Sequence, residues 1–230
     1  MDKYLIFFLI LATCLFVRIR KGQAEQSQEP PQEQRIVDAL VRIRTALVNI
    51  ADRKDEVHVP PGMLKNVDYM TQEFQKPGLA PERYASVFEE SSKLLARVEN
   101  RGVLGTDESQ AILKDISENF EVIVHSSQAK GIGIRPIPLT VKITREGQEL
   151  SGWEIFYMEY FLKHVRKDVG PDSYPKPSTA TYPLPPGRYL FQARHLNGNT
   201  TEQTEQKACT VGLDRETTPS KDSVCVLLVN

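Results

Sequence analysis

The side chains of this sequence that are best suited to redox or nucleophilic chemistry are its three cysteines, Cys14, Cys209 and Cys225. Cys14 lies in an apolar stretch near the N-terminus, so removal of that stretch as a leader would leave an even pair. An even pair in an exported chain indicates a disulfide, and we expect Cys209 and Cys225 to be joined across neighbouring strands. Because free cysteine is among the most buried residue types, two small core side chains are the alternative.

The histidines and carboxylates form no pattern that is typical of a catalytic or metal site. His58 and His125 are isolated from other ligand-type residues. A nucleophile elbow, an HExxH motif, a Walker loop and a metal-spaced Cys/His set are missing from the sequence. The adjacent Glu89 and Glu90 lie on a predicted helix face that is exposed to water. The sequence therefore predicts a non-catalytic protein without metal or cofactor, and an enzyme whose site is assembled from scattered residues is the alternative.

The charge of the chain argues against a nucleic-acid partner. Its 29 basic and 30 acidic residues give a formal net charge of −1. A protein that binds nucleic acid usually carries a basic field, which neutralises phosphates, and this chain has none at the whole-chain level. Protein, peptide and glycan ligands stay open.

The first residues resemble an export signal. Residues 4–17 are uncharged and apolar, a run that is short for a membrane-spanning helix and typical of a signal-peptide core. We interpret residues 1–24 as a signal peptide that is cut after Ala24, followed by a polar linker over residues 25–34. Arg18, Arg20 and Lys21 follow the core directly and favour an uncleaved membrane anchor instead. The expected location is therefore periplasmic or extracellular, or at a membrane through residues 4–17.

Residues 35–130 are predicted to form an antiparallel helical bundle. Five apolar residues follow one another at steps of four and three, the spacing of one helix face: Ile36, Leu40, Ile43, Leu47 and Ile50. Similar stripes occur in three further predicted helices with short polar connections, which favour antiparallel packing. The same spacing also fits a homodimer through the helices. The glycine-containing stretch from Lys130 to Ile134 is interpreted as a hinge.

Residues 136–230 alternate with the period of β-strands. Gly152–Leu162 is predicted to be one strand with apolar residues on both faces, Trp153 on one and Phe156 and Tyr160 on the other. Burial, with the helices as a cover, is the expected reason. Exposure is the alternative, and under it Trp153, Phe156 and Tyr160 are candidate partner-binding residues, together with Tyr174 in the long predicted loop over residues 163–181.

The segment Leu184–Tyr189, LPPGRY, introduces the next strand through a tight turn in which proline fixes φ and Gly187 permits a positive φ. This turn, between a long loop and a strand, resembles the carboxypeptidase-regulatory-like or prealbumin-like β-sandwich modules of exported bacterial proteins. The resemblance covers residues 136–230 and implies an antiparallel sandwich with a binding or structural role and no catalytic residues to transfer. The predicted fold class is α+β, with a helical bundle followed by this immunoglobulin-like or prealbumin-like sandwich.

Two functions fit this organisation. In the first, an exported or membrane-tethered envelope protein binds a protein, peptide or glycan through its sandwich. In the second, a membrane-anchored sensor or signalling subunit dimerises through its helices.

Overall fold

A computed structural model provides the structure of the protein. It describes the following residues: 30–53, 57–76, 82–100, 102–129, 135–166, 176–177, 180–197, 200–212 and 223–229. Several predicted features lie outside them, namely the leader with Cys14, the hinge Lys130–Ile134 and Tyr174. Residues 32–230 form one compact unit. The predicted division into a helical domain (35–130) and a β domain (136–230) stays a prediction.

The fold class is α+β, with helices in the N-terminal half and β-strands in the C-terminal half. The helices are α1 Gln32–Asp52, α2 Met63–Phe74, α3 Glu82–Glu99 and α4 Thr106–Gln128. The strands are β1 Ile137–Arg145, β2 Gln148–Glu149, β3 Glu154–Glu159, β4 Lys176–Pro177, β5 Ala180–Leu184, β6 Gly187–Asn197, β7 Thr200–Gln203, β8 Lys207–Val211 and β9 Ser223–Leu228. One 3₁₀ helix, Tyr160–His164, follows β3.

The predicted apolar face of α1 is the centre of the helical half. All five seam residues, from Ile36 to Ile50, are fully buried within this one chain, where α1 packs against α3 and α2. Edge-on aromatic contacts link three of the helices: Phe88 lies 5.4 Å from Phe74 and 5.8 Å from Phe120 between ring centroids. A dimer through the helices would therefore need a different face of α1, where Val41 is exposed.

None of the described helices is long and apolar enough to span a membrane. The predicted anchor over residues 4–17 lies outside the described part of the chain.

The strands form two sheets. In the four-stranded sheet β1 pairs antiparallel with β2 and β5, and on its other side it pairs parallel with β9. In the five-stranded sheet the order is β4, β3, β6 and β7, with β8 also paired to β6. The parallel pair of β1 and β9 is the one departure, among the described pairings, from the predicted antiparallel arrangement.

Two apolar cores meet at β3. One core lies between the sheets and contains Ile155 and Tyr157 together with Val141 and Leu227 of the four-stranded sheet. The other contains the helix seams together with Phe156, Met158 and Leu190 of β3 and β6. The helices therefore cover the outer face of the five-stranded sheet, which explains why β3 is apolar on both faces.

The predicted strand Gly152–Leu162 is too long at its C-terminal end. β3 stops at Glu159, and Tyr160–His164 turn into the 3₁₀ helix. Phe161 and Leu162 are neighbours in sequence and are both buried in the helical core. A strand would direct two successive side chains to opposite faces, so a helical turn is needed to bury both on one side.

Candidate functional site

The candidate site lies where α4 meets the 3₁₀ helix and the beginning of β6. Asp115 of α4 is almost fully buried, and its Oδ2 atom accepts two hydrogen bonds, from His164 Nε2 at 2.7 Å and from Lys163 Nζ at 2.8 Å. A carboxylate can only accept, so His164 carries its proton on Nε2 in this pair. One buried carboxylate thus fixes two consecutive side chains at the end of the 3₁₀ helix, so the predicted loop over residues 163–181 begins too early.

Lys163 also holds the ring of Tyr160, together with Arg188. Lys163 Nζ lies 3.7 Å from the ring centroid and the Arg188 guanidinium carbon lies 4.4 Å from it. Arg188 is in turn paired with Glu118 of α4. Tyr160 is half-buried and packs partly against the helical core. We call Tyr160, Lys163, His164 and Arg188, with Asp115 and Glu118, the Tyr160 cluster. It combines a fixed aromatic ring with cations, a combination that recurs in protein interfaces.

The turn before β6 is anchored to α4. Asn119 Oδ1 accepts a hydrogen bond from the backbone N–H of Arg188 at 2.7 Å. A Cβ on Gly187 would lie 2.9 Å from that same oxygen. Gly187 does not have a positive φ. A glycine is therefore needed here because the backbone approaches Asn119 of α4 too closely for a side chain. The predicted reason for Gly187, a positive φ, is wrong.

The rest of the turn is held from inside the sheets. Pro185 and Pro186 are buried, and the Tyr189 hydroxyl donates a hydrogen bond to the carbonyl of Pro185 at 2.8 Å. A tyrosine that bonds to the backbone a few residues upstream fixes the point where a chain passes from one sheet to the other. Here it fixes the crossing from β5 to β6, and with it the position of Arg188 in the Tyr160 cluster.

A second close approach lies further along α4. Gly212, which follows β8, has a φ of 100°, and a Cβ there would lie 2.3 Å from Ser126 Oγ and 3.2 Å from Pro186 Cβ. Ser126 is fully buried. The C-terminal half of α4 is therefore seated directly on the backbone of the sheet, and the Tyr160 cluster rests on a tightly packed junction.

The other candidates for partner binding are buried or undescribed. Trp153 is 4% exposed and stacks on His195 at 5.3 Å between ring centroids. Phe156 is 9% exposed and lies under the guanidinium of Arg194, 4.9 Å from its carbon atom. Tyr174 lies outside the described residues. The structure thus brings only Tyr160, of these four, to a partly exposed position that it describes.

Cys209 and Cys225 are joined by a disulfide, as predicted. The two cysteines lie in different sheets, because Cys209 belongs to β8 of the five-stranded sheet and Cys225 to β9 of the four-stranded sheet. The bridge therefore ties the two sheets together. It also occupies both sulfur atoms, so neither cysteine is a free nucleophile that the His164–Asp115 pair could activate.

Comparisons with known proteins assign no family to the chain. No family model, curated protein or solved structure matches it. Within the described ranges, no group of three His, Cys, Asp or Glu side chains is placed to hold a metal ion. The site must therefore be interpreted from its own contacts.

The Lys163–Asp115 contact is expected to stabilise the fold only below strongly alkaline pH. Partial burial lowers the pKa of Lys163, but the hydrogen bonds with Asp115 and Tyr160 outweigh it and hold that pKa above its ordinary value. A raised folded-state pKa gives stability that is complete below the unfolded pKa, about 10.4, and that is lost as the pH rises through the folded value. The difference in unfolding free energy between the wild-type protein and Lys163→Met, measured in urea, should be complete at about pH 9 and should shrink as the pH rises above about 10. A constant difference across that range would contradict the contact.

Proposed function

We propose that this protein is an exported, non-catalytic binding protein of the cell envelope, and that its partner docks on the Tyr160 cluster. A protein or peptide is the favoured partner, and a glycan is the alternative. The observation that carries the binding proposal is the half-buried Tyr160 ring, fixed between Lys163 and Arg188 at the start of the 3₁₀ helix.

Export is supported by the Cys209–Cys225 bridge. Disulfides form and persist in oxidising compartments and are rare in the cytosol. The predicted leader over residues 1–24 is in agreement with this location, because a short apolar core and a small-residue cleavage site at Gly22 and Ala24 are typical of a signal peptide.

The finer fold that we propose for the β half is the prealbumin-like sandwich of carboxypeptidase-regulatory-like modules. Support comes from the core shared by the two sheets and from the LPPGRY turn, which connects β5 of one sheet to β6 of the other. We also propose an antiparallel bundle for the helical half. Loops at the ends of a sandwich are common places for binding.

The choice of Tyr160 follows from its exposure and its support. Tyrosine and arginine are enriched among the residues that dominate protein–protein affinity. A ring that is already fixed in the free protein loses little conformational entropy on binding. Asp115 and Glu118 provide this support by holding Lys163 and Arg188 in place. Trp153 and Phe156, by contrast, would have to leave a core before they could meet a partner.

The test measures partner capture by the full chain and its Tyr160→Ala variant. Each protein, isolated with its bridge formed, is immobilised and exposed to an envelope extract of its host, and bound proteins are quantified by mass spectrometry. We expect one set of proteins to be retained by the wild-type chain and to fall at least tenfold on Tyr160→Ala, a loss of about 1.4 kcal/mol or more.

Two further variants make this experiment decisive. Tyr160→Phe keeps the ring and should retain capture within about twofold. Leu196→Ala removes a side chain that is 75% exposed on β6 outside the cluster, and it should leave capture unchanged. Equal capture by the wild-type chain and Tyr160→Ala, with both folded by circular dichroism, would refute the proposal. An equal loss on Leu196→Ala would refute it as well.

A further inference from the structure

β9 has the features of an unprotected edge. It pairs with β1 along its length, from Leu139 opposite Ser223 to Thr144 opposite Leu228. Among the described strands it has no second partner. An edge strand carries a row of backbone donors and acceptors that can pair with another chain, and proteins normally guard such a row with charges, prolines or bulges.

The direction of the backbone groups of β9 follows from one hydrogen bond. The N–H of Val229 donates to the carbonyl of Thr144 in β1 at 2.9 Å, so the backbone groups of Val229 face β1. Backbone direction alternates along a strand, so Leu227 and Cys225 face β1 as well. The N–H and C=O groups of Val224, Val226 and Leu228 therefore point to the open side.

The side chains of these same three residues lie on the outer face of the sheet. Val224 is 52% exposed, Leu228 is 59% exposed and Val226 is partly exposed. From Ser223 to Leu228 the strand contains no charge and no proline. By contrast, β7 at the edge of the other sheet carries Glu202, which is paired with Arg145.

We propose that β9 is the contact surface for a second copy of this chain, which pairs with it antiparallel about a two-fold axis at Val226. An isologous contact places each residue against its symmetry mate or its mirror position, so an uncharged strand suits it. In this register Val224 faces Leu228 of the other copy, and Val226 faces Val226. All three positions become hydrogen-bonded pairs with two bonds each, which gives about six intermolecular hydrogen bonds.

The charges near β9 allow this pairing. Lys142 of β1 is the partner of Val226, one strand inward from the edge, and it is paired with Glu149. The two copies of Lys142 would lie three strand spacings apart, about 14 Å. That exceeds the Debye length of about 8 Å at physiological ionic strength, so their repulsion is largely screened. The assembly would form one continuous sheet through both copies, independently of any ligand at the Tyr160 cluster.

The test is sedimentation velocity over a concentration series of the full chain with its bridge intact. The wild-type chain should show a monomer–dimer equilibrium. Val226→Lys should raise the dissociation constant at least tenfold, because it places a charge against its own symmetry mate. Val224→Lys should also raise the dissociation constant, and it serves as the second variant if Val226→Lys folds poorly.

Two matched lysine variants separate this surface from others. Thr181→Lys adds the same charge to the exposed face of β5, on the far side of β1 from β9, and should leave the dimer intact. Val41→Lys tests the exposed face of α1 and should also leave it intact. In the wild-type dimer the amides of Val224 and Leu228 should exchange slowly with deuterium. A chain that stays monomeric, a dimer that survives Val226→Lys and Val224→Lys, or a dimer that only Val41→Lys dissociates would overturn the proposal.

Discussion

Replacement of Gly212 by alanine is expected to lower the free energy of unfolding by about 3–5 kcal/mol. Two effects add at this position. The φ of 100° is one that residues with a Cβ rarely adopt, and the new Cβ would meet Ser126 Oγ at 2.3 Å and Pro186 Cβ at 3.2 Å. Ser126 is fully buried in α4, so it has little room to move away. Urea denaturation followed by circular dichroism measures the change.

Gly147→Ala is the matched control for this substitution. Gly147 has a φ of 82°, but a Cβ added there would have no atom within 4 Å, so its replacement isolates the backbone cost, about 1–2 kcal/mol. The excess at Gly212 is the cost of the contact with α4, and it should decrease in a Ser126→Ala background. If Gly212→Ala and Gly147→Ala cost the same, α4 does not pack on the sheet as closely as described.

Loss of the disulfide is expected to be the second large effect. The bridge closes a loop with a sequence separation of 16. In the chain-entropy model, a loop of this size contributes about 3 kcal/mol by restricting the unfolded chain. The double variant Cys209→Ala/Cys225→Ala should therefore be destabilised by about that amount, with a smaller part from the space that the buried Cys225 sulfur leaves.

The comparison that isolates the bridge uses the wild-type chain with and without a reducing agent in the same urea series. Reduction should reproduce most of the loss in the double variant, and the reductant should not affect the variant itself. Protein taken from its host should contain no free thiol at Cys209 or Cys225. Free thiols in that material, or stability unchanged by reduction, would contradict both the bridge and the export that it supports.

The elements that the sequence predicted are those whose signal is local. Ile36, Leu40 and Ile43 repeat with the period of a helix, and Leu139, Val141 and Ile143 alternate as a strand does, so each set identified its own buried face. The end of β3 was not predicted because Phe161 and Leu162 are buried against the helical core, to which α4 belongs. The hydrophobic period of the strand sequence carries no information about where that distant helix lies.

The candidate site could not be predicted from the sequence, because it consists of pairs of residues that are far apart along the chain. Asp115 and His164 are joined by a hydrogen bond between α4 and the 3₁₀ helix, and no spacing rule links them. Gly212 and Ser126 meet for the same reason, through the seating of α4 on the sheet. The one available signal was the turn of Pro185, Pro186 and Gly187, because a glycine inside a rigid turn often marks a close backbone approach.

The parallel pairing of β1 with β9 has a consequence for the order in which the protein is completed. Synthesis proceeds from the N-terminus, so β1 emerges with β2 and β5 well before Ser223–Leu228 is available. Until then β1 has an open side, and Cys209 has no partner for oxidation. The sulfur–sulfur bond thus reports on maturation, because an oxidised Cys209–Cys225 pair marks molecules whose last described strand has docked.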